Sequence, residues 1–299
     1  DTLTGVGIVQ KLEGAPSFAQ VAAQAKKADI IIFVGGISAD YEGEAGDAGA
    51  AGYGGFASGD RTTMKLPPVQ TELMKELKKT GRPLILVNMS GSVMSFDWES
   101  RNADAILQAW YGGQAAGDAI TDVLFGDYNP AGRMPLTTYM NDEDLPDFED
   151  YSMANRTYRY FKGDVRYPFG YGLSYTTFGY APLQNASTVK TGESIQVTTT
   201  VTNTGKRDGD EVVVSHPQNG NTRVPLRALK GFKRIHLNKG ESRTVTFTLS
   251  PEELALVDDK GNLVQKEGPV ELYIGGGQPY KSEGSFGELK IEGEPYVVY

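Results

Sequence analysis

Residues 28–34 read ADIIIFV and residues 82–88 read RPLILVN, and each apolar run follows a stripe of apolar residues with helical spacing. Short apolar runs of this kind suit strands of a parallel sheet that is covered on both faces. Ahead of the first, Pro16 and Ser17 open SFAQVAAQAKKAD, with Phe18, Val21, Ala22 and Ala25 along one side. Ahead of the second, Pro68 takes a first-turn position, Val69, Leu73 and Leu77 share a face, and Gly81 ends the helix. AILQAW at 105–110 reads as a third strand. GGQAAGDAITDVLFG at 112–126 reads as a helix of small residues closed by the turn DYNPAGR. Strand and helix in alternation predict right-handed crossovers and a mostly parallel sheet with helices on both faces.

From about Gly179 the helical signal stops. VTTTVT, EVVVS, RTVTFTL and VELYI are short β-rich segments, separated by NTGKRDGD, HPQNGNT, NKGES and DDKGN. That spacing predicts an antiparallel β-sandwich. The expected architecture is therefore an α/β domain over residues 1–178 followed by an all-β domain over 179–299, about what 299 residues suggest for domain number. The joining segment RYPFGYGLSYTTFGYAP is rich in aromatics, unlike a flexible Gly/Ser linker, and is expected to dock rigidly between the domains.

The candidate chemistry lies just after the first strand, in GGISADYEGEAGDAGAAGYGGFASGDR at residues 35–61. Long loops of this kind are functional or disordered, and open α/β sheets build their sites at the carboxyl ends of their strands. Glu42 and Glu44 stand among its glycines, beside Asp47. Like-charge pressure and partial burial are what raise a carboxyl pKa enough for acid catalysis. The same loop lacks G-x-G-x-x-G and a terminal GK[ST], and its acids would repel phosphate, so a nucleotide site is disfavoured.

A net charge of −9 disfavours nucleic acid and anionic membrane and suits a neutral ligand such as a carbohydrate. With no cysteine, disulfides, thiol nucleophiles and thiolate metal sites are excluded. No apolar run is long enough to cross a bilayer. Ser90 lacks the G-x-S-x-G elbow, and both histidines, His216 and His236, fall in the β-rich part. Asn88, Ser90 and Ser92 are read as turning the chain at a strand end. The acidic run NDEDLPDFEDY at 141–151 lacks the order of a calcium loop and is read as a solvated connection. Asp60 and Arg61 are read as an internal ion pair steadying the loop's end. Trp98 and Trp110 are candidates for sugar stacking, with Trp110 equally suited to the core.

The order GG-x-S, EGE, GDR and LP-x-x-Q, then NPAGR-x-P-x-T, then YPFGYGLSYT-x-F, resembles the C-terminal half of glycoside hydrolase family 3. The later GDEV, SHP, RVPLRALKGFKR and GES-x-T-V-x-F resemble the fibronectin type III-like domain that ends many members. Together these motifs cover essentially the whole chain. The resemblance implies a retaining β-glycosidase whose aspartate nucleophile lies in an N-terminal (β/α)8 barrel outside this chain, and whose acid/base glutamate comes from the glycine-rich loop. By similarity that residue is Glu44, with Glu42 second. It further implies a β-glucosidase, with a β-xylosidase of the same family as alternative, acting on oligosaccharides or β-glucosides without a cofactor or metal. A barrel segment or chain is the expected partner, with a homodimer supported by the β-domain. A bacterial periplasmic or secreted setting fits a polysaccharide degrader. A reading from a different class is a non-catalytic carbohydrate-binding or scaffold subunit. One departure is the segment 211–215, shorter than the corresponding family strand, which leaves its pairing open.

Overall fold

The computed structural model describes residues 15–39, 41–42, 55–57, 60–215 and 225–298. The chain forms two compact units: residues 1–121 with 138–145, and residues 122–137 with 146–299. Residue 178, the expected domain boundary, lies inside the second unit.

In the first unit, α1 (Phe18–Ala25) is closed at its start by a capping box between Ser17 and Gln20. Strand β1 (Ile31–Gly36) follows, then α2 (Pro68–Lys78), β2 (Leu84–Met89), a short α3 (Glu99–Asn102) and β3 (Ala105–Gln108). The helix α4 (Ala116–Phe125) spans the division between the units. The sheet order is β1-β2-β3, parallel throughout, with Ile31 opposite Leu84 and Asn88 opposite Gln108. The α/β reading of this part therefore holds. Central β2 carries the core: Leu84, Leu86 and Val87 are fully buried, and Met74 and Leu77 of α2 pack inward with them.

The expectation that β1 is covered on both faces needs correction. Ile32 and Val34 are 42% and 58% exposed. β1 stands at the sheet's edge, and among the described residues the packing falls on the face of Ile31.

Among the described residues of the second unit, the sandwich's two sheets are built from eight strands: β4 (Phe178–Tyr180), β5 (Thr188–Lys190), β6 (Ile195–Asn203), β7 (Gly209–Ser215), β8 (Gly231–Leu237), β9 (Ser242–Leu249), β10 (Gly268–Gly275) and β11 (Gly284–Glu292). One sheet runs β9-β6-β4 and the other β8-β7-β10-β11-β5. Pairing is antiparallel, as the spacing predicts, except that β5 runs parallel to β11. Strand β6 shows the alternation of a strand with one buried face, Ile195, Val197 and Val201 turning inward. They meet Leu237, Leu249, Leu272, Ile274 and Ile291 in one core. The short segment whose pairing was left open is β7, which pairs with β8 over its whole length.

The segment before the sandwich is held to it by polar contacts. Asn129 donates to Asp208 O at 2.9 Å and accepts from Tyr175 N at 2.7 Å. Arg133 donates through Nε to Gly276 O at 3.0 Å and through Nη2 to Glu211 Oε2 at 2.9 Å. Tyr180 donates to the other oxygen of Glu211 at 2.8 Å. Within the aromatic segment the Tyr167 and Tyr171 rings meet with centroids 5.2 Å apart, and Phe169 stacks on Tyr158, just upstream, at 4.4 Å. These contacts place residues 122–137 and the aromatic segment with the sandwich.

Candidate active site

The glycine-rich loop leaves the sheet at Gly36, which has φ +127°; a Cβ there would stand 1.9 Å from Met89 O. Only glycine permits that backbone and that approach. The Gln70 side chain acts as a substitute strand partner, accepting from Gly36 N at 2.9 Å and donating to Gly36 O at 2.7 Å. Gln70 faces the strand end because Pro68 begins α2 two residues earlier. A tight turn then brings Tyr41 N and Glu42 N back to Ser38 O, at 3.0 and 3.3 Å.

Glu42 is held on both carboxylate oxygens. Oε1 accepts from Ser92 Oγ and lies 3.8 Å from Arg61 Nη1; Oε2 lies 2.8 Å from the Tyr111 hydroxyl. The Tyr111 hydroxyl is also 2.9 Å from Ile37 O, so its one proton serves two acceptors at the mouth of the loop. Desolvation, and then the hydrogen bond to Glu42, push the Tyr111 hydroxyl up to about 12, so it stays a donor at neutral pH.

Arg61 ties the loop's far end to its start. Its guanidinium donates to Ser92 Oγ, to Val93 O at 2.8 Å, and to Thr63 O at 3.2 Å through Nε and 2.9 Å through Nη2. The Arg61 and Glu42 side chains are 16% and 17% exposed. Burial lowers the Arg61 pKa, while Glu42, Asp142 and Tyr111 act to raise it. Asp142 accepts from Thr63 Oγ1 at 2.7 Å and Met64 N at 2.8 Å, securing the chain just past Arg61.

Beneath this pair, Asn88 at the end of β2 donates to Ser90 Oγ and to Gln108 Oε1, both at 2.8 Å, and Ser90 donates to Ser92 O at 2.9 Å. Trp110, half-buried with φ +58°, turns the chain after β3. The Tyr111 ring lies over Gly91, where a Cβ would meet it at 2.5 Å.

Sequence reasoning placed Glu42 in the loop but missed its partners. Ser90 and Ser92 do more than turn the chain: Ser92 is a donor to the loop carboxylate. Arg61 does not pair with Asp60 as expected: Asp60 is exposed, and Arg61 turns to Glu42 because that carboxylate is buried with it. The acidic run is not simply a solvated connection, because Asp142 is a two-bond anchor. A signal for Ser92 and Tyr111 was their position, each just past the end of a strand next to β1 or its neighbour. Trp98 is half-buried at the start of α3. Glu44, the favoured acid/base, lies outside the described residues, as does His216. Among the described residues no cluster of three or more His, Asp or Glu side chains is placed to hold a metal.

Glu42→Gln keeps the shape but removes the charge facing Arg61 and turns one acceptor into a donor facing Ser92 or Tyr111. It is expected to cost about 1.5–3 kcal/mol, the range for hydrogen bonds to a charged group. Urea denaturation of the chain reads this; an unchanged midpoint contradicts the anchoring.

The pattern of the "Glycosyl hydrolase family 3 C-terminal domain" matches residues 4–175, and that of the "Fibronectin type III-like domain" matches residues 212–278. The chain is 44% identical over 262 residues to a xylan 1,4-beta-xylosidase of Xylanibacter ruminicola, covering 86% of the chain and 30% of that protein. It is 35% identical over 277 residues to the periplasmic beta-glucosidase of Salmonella typhimurium, covering 88% of the chain and 34% of that protein. Among solved structures, the beta-glucosidase of Kluyveromyces marxianus in complex with glucose superposes with a TM-score of 0.80 at 30% identity, over 95% of the chain and 34% of that protein. The chain thus spans about a third of the length of the curated relatives it matches.

Proposed function

The chain belongs to glycosyl hydrolase family 3, and from that membership we propose that it is the C-terminal part of a retaining, exo-acting β-glycosidase to which it supplies the general acid/base. In family terms its parts are the α/β domain, 1–178, and the fibronectin type III-like domain, 179–299. One observation supports the division of labour in the loop: both oxygens of Glu42 are already engaged, by Ser92 with Arg61 and by Tyr111. A group that passes a proton to a glycosidic oxygen needs an oxygen free to reach it. Glu42 is the loop's anchor in this reading, and Glu44 is the acid/base. Two residues of chain span at most about 7 Å, so an anchored Glu42 confines where Glu44 can go.

In a retaining enzyme the two carboxyl groups stand roughly 5–5.5 Å apart. The nucleophile attacks the anomeric carbon while the acid protonates the leaving oxygen. The same group then takes a proton from water, which displaces the nucleophile and releases the sugar. The nucleophile belongs to a (β/α)8 barrel, which is not among the elements of the described residues. The exposed Ile32 and Val34 on edge strand β1 are consistent with further polypeptide packed against the α/β sheet. The sugar is a terminal β-linked glucose in the primary reading. A β-xyloside is the second reading, favoured by the higher identity of the xylosidase relative.

Mixing the chain with the barrel segment of the complete enzyme tests this proposal. The chain alone is expected to leave aryl β-glucosides and β-xylosides intact, and the mixture to hydrolyse one of them. Activity of the chain alone, or an inert mixture of folded parts, contradicts the proposal. The relative rates on the two aryl glycosides settle the sugar.

A further inference from the structure

The hairpin that joins β10 to β11 carries a ladder of three aromatic rings running from the core to the surface. Tyr273 is 1% exposed, Phe286 41% and Tyr280 73%. Tyr273 and Phe286 are directly opposite in the β10–β11 pairing, with ring centroids 4.9 Å apart. Tyr280 leans on Phe286 at 4.9 Å with 32° between the ring planes. An open pocket of about 490 Å³ lies against these rings, and Lys281, Ser282, Glu283 and Gly284 complete its wall.

Two features hold the hairpin in this shape. The buried Tyr273 hydroxyl reaches the loop backbone, 2.9 Å from Ser282 O and 3.1 Å from Glu283 O, across Gly284, where a Cβ would stand 2.3 Å from that oxygen. Two residues before Tyr280, Gln278 is 5% exposed; its Oε1 accepts from Arg227 at 2.8 Å, and its Nε2 has no partner among the described residues. Tyr280 itself sits at φ +60°, a left-handed backbone that bulky side chains rarely adopt. A strained residue held by its surroundings, with its ring turned to water, is a pattern associated with ligand sites.

We propose that the Tyr280–Phe286 platform on the β-sandwich binds a neutral sugar ring of a β-linked oligosaccharide. A pyranose offers an apolar face to an aromatic ring and hydroxyls around its rim, and the pocket offers the complement: exposed aromatic faces bordered by an ammonium, a hydroxyl and a carboxylate. The mixed signs of Lys281 and Glu283, in a chain of net charge −9, argue against a polyanion. The choice of a glucose- or xylose-built chain rests on the glycosidase reading above. The platform itself does not, because binding is measured without turnover.

The test uses the full 299-residue chain and isothermal titration with cellopentaose, xylopentaose and polygalacturonate. One neutral probe is expected to bind with a Kd of about 0.1–1 mM, a modest affinity of about 4–5.5 kcal/mol. Tyr280→Phe keeps the platform and should retain binding. Tyr280→Gly suits the left-handed backbone, so its melting temperature should hold or rise while binding weakens at least about 10-fold. No binding of either neutral pentaose, equal binding of polygalacturonate, or undiminished binding by Tyr280→Gly overturns the proposal. So does a fall in the melting temperature of Tyr280→Gly, which would make the residue a packing element.

Discussion

Glu44→Gln in the complete enzyme is expected to slow hydrolysis of unactivated β-linked disaccharides by about 10²–10⁴-fold, the usual contribution of a positioned general acid or base. A glycosidic oxygen leaving as a sugar alkoxide needs its proton in the transition state. A nitrophenolate needs far less help, so kcat/KM for activated aryl glycosides should fall much less. The pH profile gives a second signature. A general acid must be protonated to act, so activity declines as pH rises through its pKa. Removing it should flatten that alkaline limb. Glu42→Gln should behave otherwise: by loosening the loop it lowers rates for good and poor leaving groups alike and leaves the limb in place. Equal losses of Glu44→Gln across leaving groups, with the limb retained, would remove Glu44 from the proton-donor role.

In the sandwich, Glu211→Ala is expected to destabilise by about 3–5 kcal/mol, the range for stripping one partner from a buried ion pair. It leaves Arg133, with a side chain 12% exposed, facing no carboxylate, and deprives the buried Tyr180 hydroxyl of its acceptor. Charge alone is not what Glu211 contributes. Desolvation raises its pKa despite the opposing pull of Arg133 and the hydrogen bonds from Tyr180 and Arg133. A carboxyl with a raised folded pKa binds its proton more tightly folded than unfolded. Its ionisation therefore removes stability as pH climbs from the ordinary glutamate value through the raised one, with no further change above. Glu211→Gln, which keeps polar atoms facing Arg133 and Tyr180, should cost less than Glu211→Ala and should flatten that part of the stability curve, and Arg133→Met with Glu211→Leu should cost far less than Glu211→Ala. Urea titrations of the four proteins across that pH range decide it. Equal losses for Glu211→Ala and the double variant contradict the pair's coupling.

The layers of the fold were legible because each rests on local pattern. The apolar runs gave β1 and β2, the Pro68 and Gly81 limits gave α2, and the turn-separated segments gave β6, β7, β9 and β10. Strands β8 and β11 escaped because their outward faces are heavily polar: GFKRIHL buries only Ile235 and Leu237, and GSFGELKIE buries Leu289 and Ile291. The exposure of Ile32 and Val34 escaped because sequence hydrophobicity reports what a face wants, not whether a neighbour supplies it. In the site, Glu42 was found because its loop is conspicuous. Its partners Ser92, Tyr111 and Arg61 come from separate stretches that only the parallel register of β1, β2 and β3 brings together. Long-range polar pairing leaves no periodic trace, and so Arg61 was paired with its sequence neighbour instead.

The central claim, that one loop glutamate anchors while the next donates the proton, is tested most directly by a crystal structure of the complete enzyme with a non-hydrolysed β-linked disaccharide bound. The account predicts the Glu44 carboxyl within about 3 Å of the glycosidic oxygen, with Glu42 still held by Ser92, Arg61 and Tyr111. Glu42 released from those partners and hydrogen-bonded to that oxygen, with Glu44 turned away, would contradict it.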